Sequence, residues 1–296
     1  MLAADDQTLF EPSSNADVII IEFTDPGCPW AYSAEPFRWR LNWLYGDQID
    51  GGVRMVVLAK APEDYLEKDF TPERQSKAFH RIAEDHGMPI DTRLRPRMAA
   101  TLPACRAVVA TRLHRPERAR PILRRLRLRH FAGELLDEPE TIAGAARDAL
   151  VDPEELAEWE RDPAVTAAIE ADMRAAREPM PAARALDHKL ANWSGGRRYT
   201  CPSLEIVRRS DGVRIAVPGF QPFAAYDVIL ANLVPDLERR EPPESVEELL
   251  RWAPTPLATK EVAVICDIPF ADARERLGRV AVERHVGADG LWTLPE

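Results

Sequence analysis

The stretch from residue 17 to residue 36 constrains the fold more than any other part of the chain. Residues 17–23 form an apolar, mostly β-branched run without polar alternation, which predicts a strand buried on both faces of an α/β sheet. Pro29 follows shortly after and suits the first position of a helix, because its missing N–H would be unpaired there anyway. Pro36 predicts a kink or a restart of that helix. The first predicted unit is therefore a buried strand leading directly into a helix.

Cys28 falls at the N-cap of this predicted helix. Unpaired N–H groups and the positive end of the helix dipole favour an anion there, and cysteines so placed have pKa values well below that of a free thiol. The position therefore predicts a thiolate nucleophile at neutral pH. The alternative is that Cys28 is a small buried residue without chemistry.

The composition narrows the setting in which such a thiol would act. The 296 residues carry 39 Lys or Arg against 49 Asp or Glu, for a net charge of -10 and a pI near 5.3. This balance disfavours nucleic acid or an anionic membrane as the general partner. Residues 1–7 hold no basic stretch before an apolar core, so we expect no signal peptide and a cytoplasmic, soluble protein.

The other cysteines predict no metal site. Cys28, Cys105, Cys201 and Cys266 are far apart and lack zinc-ligand spacing, and the 6 histidines add no metal-binding spacing. In a reducing compartment these thiols are not expected to be structural disulfides.

Strand signals occur early and late, with a long helical region between them. Residues 53–58 and 203–207 predict the second and third strands. Helix starts with an N-cap, a proline and acidic residues are predicted at 137–140, 152–155 and 162–163. Residues 210–212 predict a hairpin turn, and Gln221-Pro222 predicts a helix through Asn232.

This order of elements, with three local signatures, resembles the DsbA family, in which a helical domain interrupts a thioredoxin fold. The signatures are the Cys28-Pro29 site, Glu22 where many members have a buried acid thought to move protons, and residues 199–204. The last matches the loop whose proline, here Pro202, is cis and faces the active-site sulfur. Residues 131–140 are similar to the insertion of the branch that includes FrnE-like oxidoreductases and 2-hydroxychromene-2-carboxylate isomerases.

The resemblance implies an α/β thioredoxin fold with a large helical insertion and a division of the chain into domains. These are a thioredoxin-fold domain at 14–60 and 186–238, an inserted helical domain at 61–185, and a C-terminal helix-turn-helix or winged-helix-like module at 245–296. A charged linker is expected over 238–245. Residues 255–296 hold five Lys or Arg and seven Asp or Glu, so we expect this module to pack on the first domain or bind a protein rather than read DNA.

The chain departs from the family pattern at two positions. In the two-cysteine form Cys-x-x-Cys the second sulfur resolves the mixed disulfide, but Ala31 occupies that place. Cys201 instead precedes the predicted cis-proline, and the family geometry would put it beside Cys28. We hypothesise that Cys201 replaces the resolving cysteine or joins Cys28 in holding a soft ligand or metal. The alternative is a reduced residue that only shapes the groove.

The function implied is a thiol-disulfide oxidoreductase with Cys28 as nucleophile, resolved by Cys201 or an external thiol, and Glu22 as proton-handling group. The groove for a protein or small-molecule thiol or disulfide would be lined by Pro29, Trp30, Thr200 and Pro202. We expect no tightly bound cofactor, although glutathione or another small thiol is a candidate. One alternative is a glutathione-dependent transferase or isomerase of the kappa or 2-hydroxychromene-2-carboxylate isomerase type. Another is a non-catalytic binding protein. The oligomeric state stays open.

An arginine-rich run lies within the predicted insertion. Residues 106–129 hold nine arginines interspersed with leucines. Solvated helix faces are the first interpretation, and docking of an anionic cofactor or substrate is the second.

Overall fold

A four-stranded mixed sheet forms the centre of the molecule, whose computed structural model describes residues 16–192 and 196–295. Its strands are β1 (Val18–Thr24), β2 (Ile49–Met55), β5 (Ser203–Arg208) and β6 (Arg214–Val217), in the spatial order β2-β1-β5-β6. β1 and β2 are parallel, and β5 runs antiparallel to both β1 and β6. Two short strands, β3 (Leu190–Asn192) and β4 (Arg197–Tyr199), pair just before β5. All of β1 is buried, as its apolar run predicts.

The helix after β1 has two parts. Its first part, α1 (Pro29–Ser33), has Cys28 at the N-cap and Pro29 as its first residue. The second part, α2 (Glu35–Tyr45), restarts with Pro36 in its first turn. Both predicted proline positions are therefore confirmed.

β2 begins earlier and ends earlier than the predicted range 53–58. Its first half contains Gly51, where an ideal Cβ would lie 1.9 Å from the Ile20 carbonyl oxygen of β1. Only glycine fits so close to the neighbouring backbone, and glycine carries no strand propensity in sequence. Val57 has a φ of 57°, which ends the extended run before Leu58.

The insertion between β2 and β3 is helical. Its helices are α3 (Glu63–Leu66), α4 (Pro72–His86), α5 (Leu102–His114), α6 (Ala119–Phe131), α7 (Pro139–Asp148), α8 (Pro153–Trp159), α9 (Pro163–Arg177) and α10 (Pro181–Ala185). The three predicted helix starts are confirmed at α7, α8 and α9. One apolar core joins α5, α6, α7 and α9 to Val53 and Met55 of β2, so the insertion packs on this edge of the sheet.

The predicted hairpin joins β5 and β6, and α11 (Phe223–Leu233) follows it. Gly212 of its turn has a φ of 76°, which glycine adopts without strain. The third predicted strand and the following helix are thus confirmed.

The interpretation of the arginine run as solvated helix faces is wrong for its central residues. Arg124 and Arg127 of α6 are buried rather than solvated. Arg124 is paired with Glu261, and Arg127 is paired with Glu22 and Glu35. The long separation of these partners in sequence hid the pairing.

Residues 245–295 form a smaller unit against the main sheet domain. It comprises α12 (Val246–Trp252), β7 (Leu257–Ala258), α13 (Thr259–Ile265), α14 (Phe270–Val280), β8 (Val282–Val286) and β9 (Asp289–Thr293), with its strands ordered β7-β9-β8. Helices α13 and α14 are followed by the β8-β9 hairpin, the order that was predicted, while the winged-helix assignment itself stays a prediction.

This C-terminal unit shares a core with α2. Trp252 packs edge-on to both Trp39 and Trp43, at ring-centroid distances of 5.8 and 5.2 Å. The segment expected to be a charged linker is also docked, because the Trp43 indole N–H donates to the Glu241 carbonyl at 2.8 Å. The unit is therefore packed on the thioredoxin-fold region.

The predictions for the N-terminal residues and for the outermost domain boundaries concern residues that the structure does not describe. Residues 1–7 and 14–15, as well as residue 296, lie outside the described residues. Within residues 16–192 and 196–295, no helix is long and apolar enough to cross a membrane. The same residues contain no group of three His, Cys, Asp or Glu side chains arranged to hold a metal ion.

Candidate active site

Cys28 lies where β1 passes into α1. Its backbone N–H donates to the Asp25 carbonyl at 3.2 Å, and its own carbonyl accepts from the Tyr32 N–H at 3.0 Å. The φ of -82° and ψ of 114° are those of an N-cap residue. The sulfur therefore lies at the positive end of a helix, although this helix is short.

The loop before β5 brings Cys201 and Pro202 to the same place. β1 and β5 are neighbours, with Phe23 opposite Ser203, so the end of one strand meets the start of the other. The Cys201-Pro202 peptide bond is cis. The Cys28 thiol donates to the Cys201 carbonyl oxygen at 3.4 Å. Both cysteines are free and buried.

The two sulfurs have opposite tendencies to ionise. A hydrogen bond from the Cys201 thiol does most to lower the pKa of Cys28, and the Ala31 and Trp30 backbone N–H groups add to it, against the effect of burial. Burial, followed by the hydrogen bond to Cys28 and its charge, raises the pKa of Cys201 well above its usual value. The arrangement therefore favours one thiolate, on Cys28, beside one thiol.

Glu22 is buried but engaged elsewhere. Arg127 donates to its carboxylate at 3.2 Å, and an Arg120 nitrogen lies 3.5 Å from its other oxygen. Burial alone would raise the pKa of Glu22, but Arg127, Arg38 and Arg120 together lower it. A carboxylate held in its charged form by arginines is poorly suited to taking up and releasing a proton. This weighs against the proton-handling role expected for Glu22.

Asp25 is the buried acid beside the nucleophile, and sequence reasoning missed it. Its Oδ1 accepts from the Gly27 N–H at 2.7 Å. Its Oδ2 accepts from the Leu58 N–H at 2.8 Å, the Thr101 hydroxyl at 2.8 Å and the Cys105 thiol at 3.4 Å. Burial raises the pKa of Asp25, and its charge opposes ionisation of Cys28. The available signal was the Asp25-Pro26-Gly27 turn, because aspartate commonly bonds the N–H two residues ahead.

Trp30, two residues after Cys28, packs against other aromatic rings. Trp30 is 42 % exposed and contacts His86 and Phe220, with ring centroids 5.0 and 5.7 Å away. Thr200 is half-buried, and its carbonyl accepts from the Ser203 hydroxyl at 2.7 Å. Pro29 and Trp30 follow Cys28 in the chain, and Thr200 and Pro202 flank Cys201, so each lies within two residues of one of the two cysteines in sequence, while the groove itself stays a prediction.

Two further thiols lie apart from this pair. Burial and the Asp25 charge raise the pKa of Cys105 well above its usual value, which makes it a poor nucleophile. Burial raises the pKa of Cys266, in the C-terminal unit, to about 11.

Comparison with known proteins gives one similar sequence and several similar structures. No family model matches the chain. It is 24% identical over 290 residues to the ClpXP adapter protein SpxH of Halalkalibacterium halodurans, covering 95% of this chain and 87% of that protein. Because 95% of the chain is aligned, the similarity includes most of the C-terminal unit.

Solved structures share the architecture at low sequence identity. A probable DsbA oxidoreductase of Streptomyces coelicolor superposes with a TM-score of 0.53 and 19% identity, covering 78% of this chain and 94% of that one. The cytosolic disulfide reductase DsbM of Pseudomonas aeruginosa gives 0.51 and 19%, covering 73% of this chain and all of that one. A DsbM structure with glutathione (GSH) gives a TM-score of 0.50, with 72% and 98% covered. The chain therefore has the DsbA-type thioredoxin fold, interrupted by a helical insertion.

Proposed function

We propose that this protein is a thiol-disulfide oxidoreductase in which Cys28 is the nucleophile and Cys201 the resolving thiol. The observation that carries the proposal is the Cys28 sulfur at a helix N-cap, in hydrogen-bond contact with Cys201 across the cis-proline loop. Disulfide exchange requires a thiolate and a second sulfur within reach, and the lowered pKa of Cys28 and its contact with Cys201 support this pairing. The fold shared with DsbA-type oxidoreductases supports the same assignment.

The reaction proceeds in two exchanges. The Cys28 thiolate attacks one sulfur of a substrate disulfide RS–SR′, forms a mixed disulfide and releases R′S⁻. Once Cys28 has lost its charge, one of the effects that raise the Cys201 pKa is gone. Cys201 then attacks the Cys28 sulfur and RS⁻ leaves, taking up the Cys201 proton. Two electrons have passed from the protein thiols to the substrate, and two molecules of a small thiol restore them.

Glutathione is the external thiol we propose for that last step. The structure of DsbM with GSH supports it, since that protein has the same fold. All four cysteines are free, which fits a protein acting in the reducing cytoplasm. Where Cys201 is blocked, glutathione would also resolve the Cys28 mixed disulfide directly.

A reductase assay with matched cysteine variants tests the proposal. The wild type should accelerate the reduction of insulin disulfides by glutathione. The Cys28→Ser variant should lose this acceleration, whereas Cys266→Ser should keep it in full. Mass spectrometry after mild oxidation should find a peptide linking Cys28 to Cys201. Equal activity in wild type and Cys28→Ser would show that Cys28 is not the nucleophile. A Cys201 thiol that stays free after oxidation would show that it is not the resolving cysteine.

A second candidate is a non-catalytic adapter that binds another protein. Two observations favour it: Cys28 is only 5 % exposed, and the similarity to a ClpXP adapter protein includes most of the C-terminal unit. If the protein is an adapter, the wild type and the Cys28→Ser variant should bind purified ClpX with the same affinity. Absence of binding at micromolar concentration in a biosensor measurement would exclude this candidate.

A further inference from the structure

The small sheet of the C-terminal unit has an unpaired edge. Its strands are ordered β7-β9-β8, so β8 pairs with β9 on one side and has no strand on its other side in the described chain. Three of the five residues of β8 are exposed, and Val282, an apolar one, is 55 % exposed. An exposed strand edge can pair with a segment of another chain. This edge is therefore open to a further strand.

The register of the β8-β9 hairpin shows which backbone groups face this edge. Val286 is paired with Asp289 across a two-residue turn, so these two residues exchange hydrogen bonds with each other. The bonded pairs alternate along an antiparallel ladder, and the N–H and C=O groups of Glu283 and His285 therefore point away from β9. In the described part of the chain neither residue makes a backbone hydrogen bond outside the hairpin. These donors and acceptors are available to an extended peptide.

A groove of about 280 Å³ lies beside this edge, between the hairpin and α6. Arg284 of β8 is paired with Leu291, and Leu291 shares a core with Leu128 of α6. Paired residues of a sheet point to the same face, so the side chains of Arg284 and of Val282, two residues earlier, face the groove. A strand added to β8 would place every second side chain in the same groove.

Two arginines of the groove lack a carboxylate at ion-pair distance. Among the described residues, Arg284 makes no hydrogen bond or ion pair, and Arg125 of α6 bonds only the Pro254 carbonyl, at 3.4 Å. Burial lowers the pKa of Arg125, and nearby positive charges, Arg284 among them, add to this effect while Asp148 opposes it. A carboxylate between the two guanidinium groups would relieve their repulsion.

The carboxylates of the groove are bound to other arginines. Asp148 lies 2.8 Å from Arg129, which is also paired with Glu134 at 3.1 Å. Glu283 belongs to the opposite face of the hairpin, and Arg274 binds its carboxylate at 3.1 Å. No carboxylate of the chain therefore occupies the position that faces both unpaired arginines.

We propose that the free edge of β8 binds an extended acidic segment of another protein, which adds to the small sheet as a fourth strand and places a carboxylate beside Arg284 and Arg125. Backbone hydrogen bonds would supply affinity, and the side chains that enter the groove would supply specificity. The residue two positions from the acid would cover Val282, so an apolar side chain fits there. The site uses no thiol and stands or falls independently of the proposed oxidoreductase activity.

Fluorescence anisotropy on the full chain tests the proposal with a labelled, amidated peptide of the sequence Thr-Glu-Thr-Val-Thr-Glu-Thr. Its alternate positions present an acid, an apolar residue and an acid to the groove. We expect saturable binding that weakens as salt is added, because salt screens the exposed charges. The peptide with lysine in place of glutamate should not bind. Neither should the glutamate peptide N-methylated at its three central residues, since it lacks the backbone donors that a strand needs.

Two variants separate the charge from the strand edge. Arg284→Glu should weaken binding of the glutamate peptide about tenfold or more, the effect of losing one charge-assisted hydrogen bond. Arg251→Glu, at an exposed arginine of α12 outside the groove, should bind like wild type, and so should Cys28→Ser. His285→Pro removes an N–H that the hairpin does not use, a change that an edge strand tolerates, and it should abolish binding.

Circular dichroism checks that each variant keeps a cooperative fold. The proposal is overturned by no saturable binding of the glutamate peptide, or by equal affinity for the lysine or the N-methylated peptide. It is also overturned by unchanged affinity in a folded Arg284→Glu or His285→Pro variant.

Discussion

Arg127, from the helical insertion, donates a hydrogen bond to Glu22 of the first strand at 3.2 Å. This contact holds the strand's buried acid in its charged form, which the lowered pKa of Glu22 reflects. The acid that acts electrostatically on Cys28 is instead Asp25, three residues before it. The DsbA-like resemblance points to Glu22 for proton handling, whereas the electrostatic contact with Cys28 favours Asp25, just after the strand.

The first prediction compares these two acids through the reactivity of Cys28. Asp25→Asn should lower the pKa of Cys28, because the aspartate charge opposes formation of the thiolate. Iodoacetamide alkylation of Cys28, followed by peptide mass spectrometry across pH, should then rise at lower pH than in wild type. Glu22→Gln should leave this profile nearly unchanged. A larger shift in Glu22→Gln than in Asp25→Asn would contradict the assignment.

The second prediction separates the two possible roles of Cys201. Cys201→Ala removes the thiol that does most to lower the Cys28 pKa, so Cys28 should be alkylated more slowly at neutral pH. Cys201→Ser keeps a hydroxyl donor and should retain much of the wild-type rate, yet it cannot form a disulfide. If the Ala and Ser variants react alike, the hydrogen bond from position 201 does not tune the nucleophile. Cys266→Ser, a change at a cysteine of the C-terminal unit that is hydrogen-bonded to neither Asp25 nor Cys28 in the described structure, is the control.

The sequence predicts those features of the fold and the site that are determined by neighbouring residues, and it does not predict contacts between residues far apart in the chain. Cys28 at a helix N-cap and the β5-β6 hairpin are encoded within a few neighbouring residues, so both were predicted. The Asp25 carboxylate, in contrast, meets Thr101 and Cys105 across 76 and 80 residues. No periodicity or propensity reports such a pairing, because it is created by packing of the insertion on the sheet. The arginines of α6 were misjudged for the same reason.

The third prediction concerns the junction between the C-terminal unit and the insertion. Arg124 donates to Glu261 at 2.7 Å, and both side chains are almost fully buried. Glu261→Ala should lower the free energy of unfolding by about 3–5 kcal/mol, since it leaves a buried guanidinium with one partner fewer. Urea denaturation monitored by tryptophan fluorescence measures the loss. Glu247→Ala, at a half-buried position in the first turn of α12, should cost less than about 1 kcal/mol.

A second junction of the C-terminal unit, with α2, predicts how the chain unfolds. The C-terminal unit also packs on α2 outside the insertion: Trp39 and Trp43 share a core with Trp252 and Val262, so this unit and the sheet domain should unfold in one transition. Two separate transitions in calorimetry, one of them lost when residues 245–296 are deleted, would contradict that coupling.

The fourth prediction is the response of stability to acid. Burial by itself would raise the pKa of Glu35, but Arg38, Arg127 and Arg124 together lower it to about 2, from 4.5. A carboxyl whose pKa is lower in the folded state binds fewer protons there, so it stabilises the fold above pH 4.5 and loses that stabilisation as pH falls toward 2. His130 acts at higher pH: burial lowers its pKa to about 3 from 6.5, so stability should begin to fall below pH 6.5.

The two groups can be distinguished by variants measured over pH. In Glu35→Gln the free energy of unfolding should be lower than in wild type by about 3 kcal/mol at neutral pH, and its loss below pH 4.5 should be shallower. In His130→Gln the decline between pH 6.5 and 4.5 should be shallower instead, with the steeper loss below pH 4.5 preserved. Urea denaturation at half-unit pH intervals gives both slopes. An unchanged slope below pH 4.5 in Glu35→Gln would mean that the arginine cluster around Glu35 does not hold its charge in the folded protein.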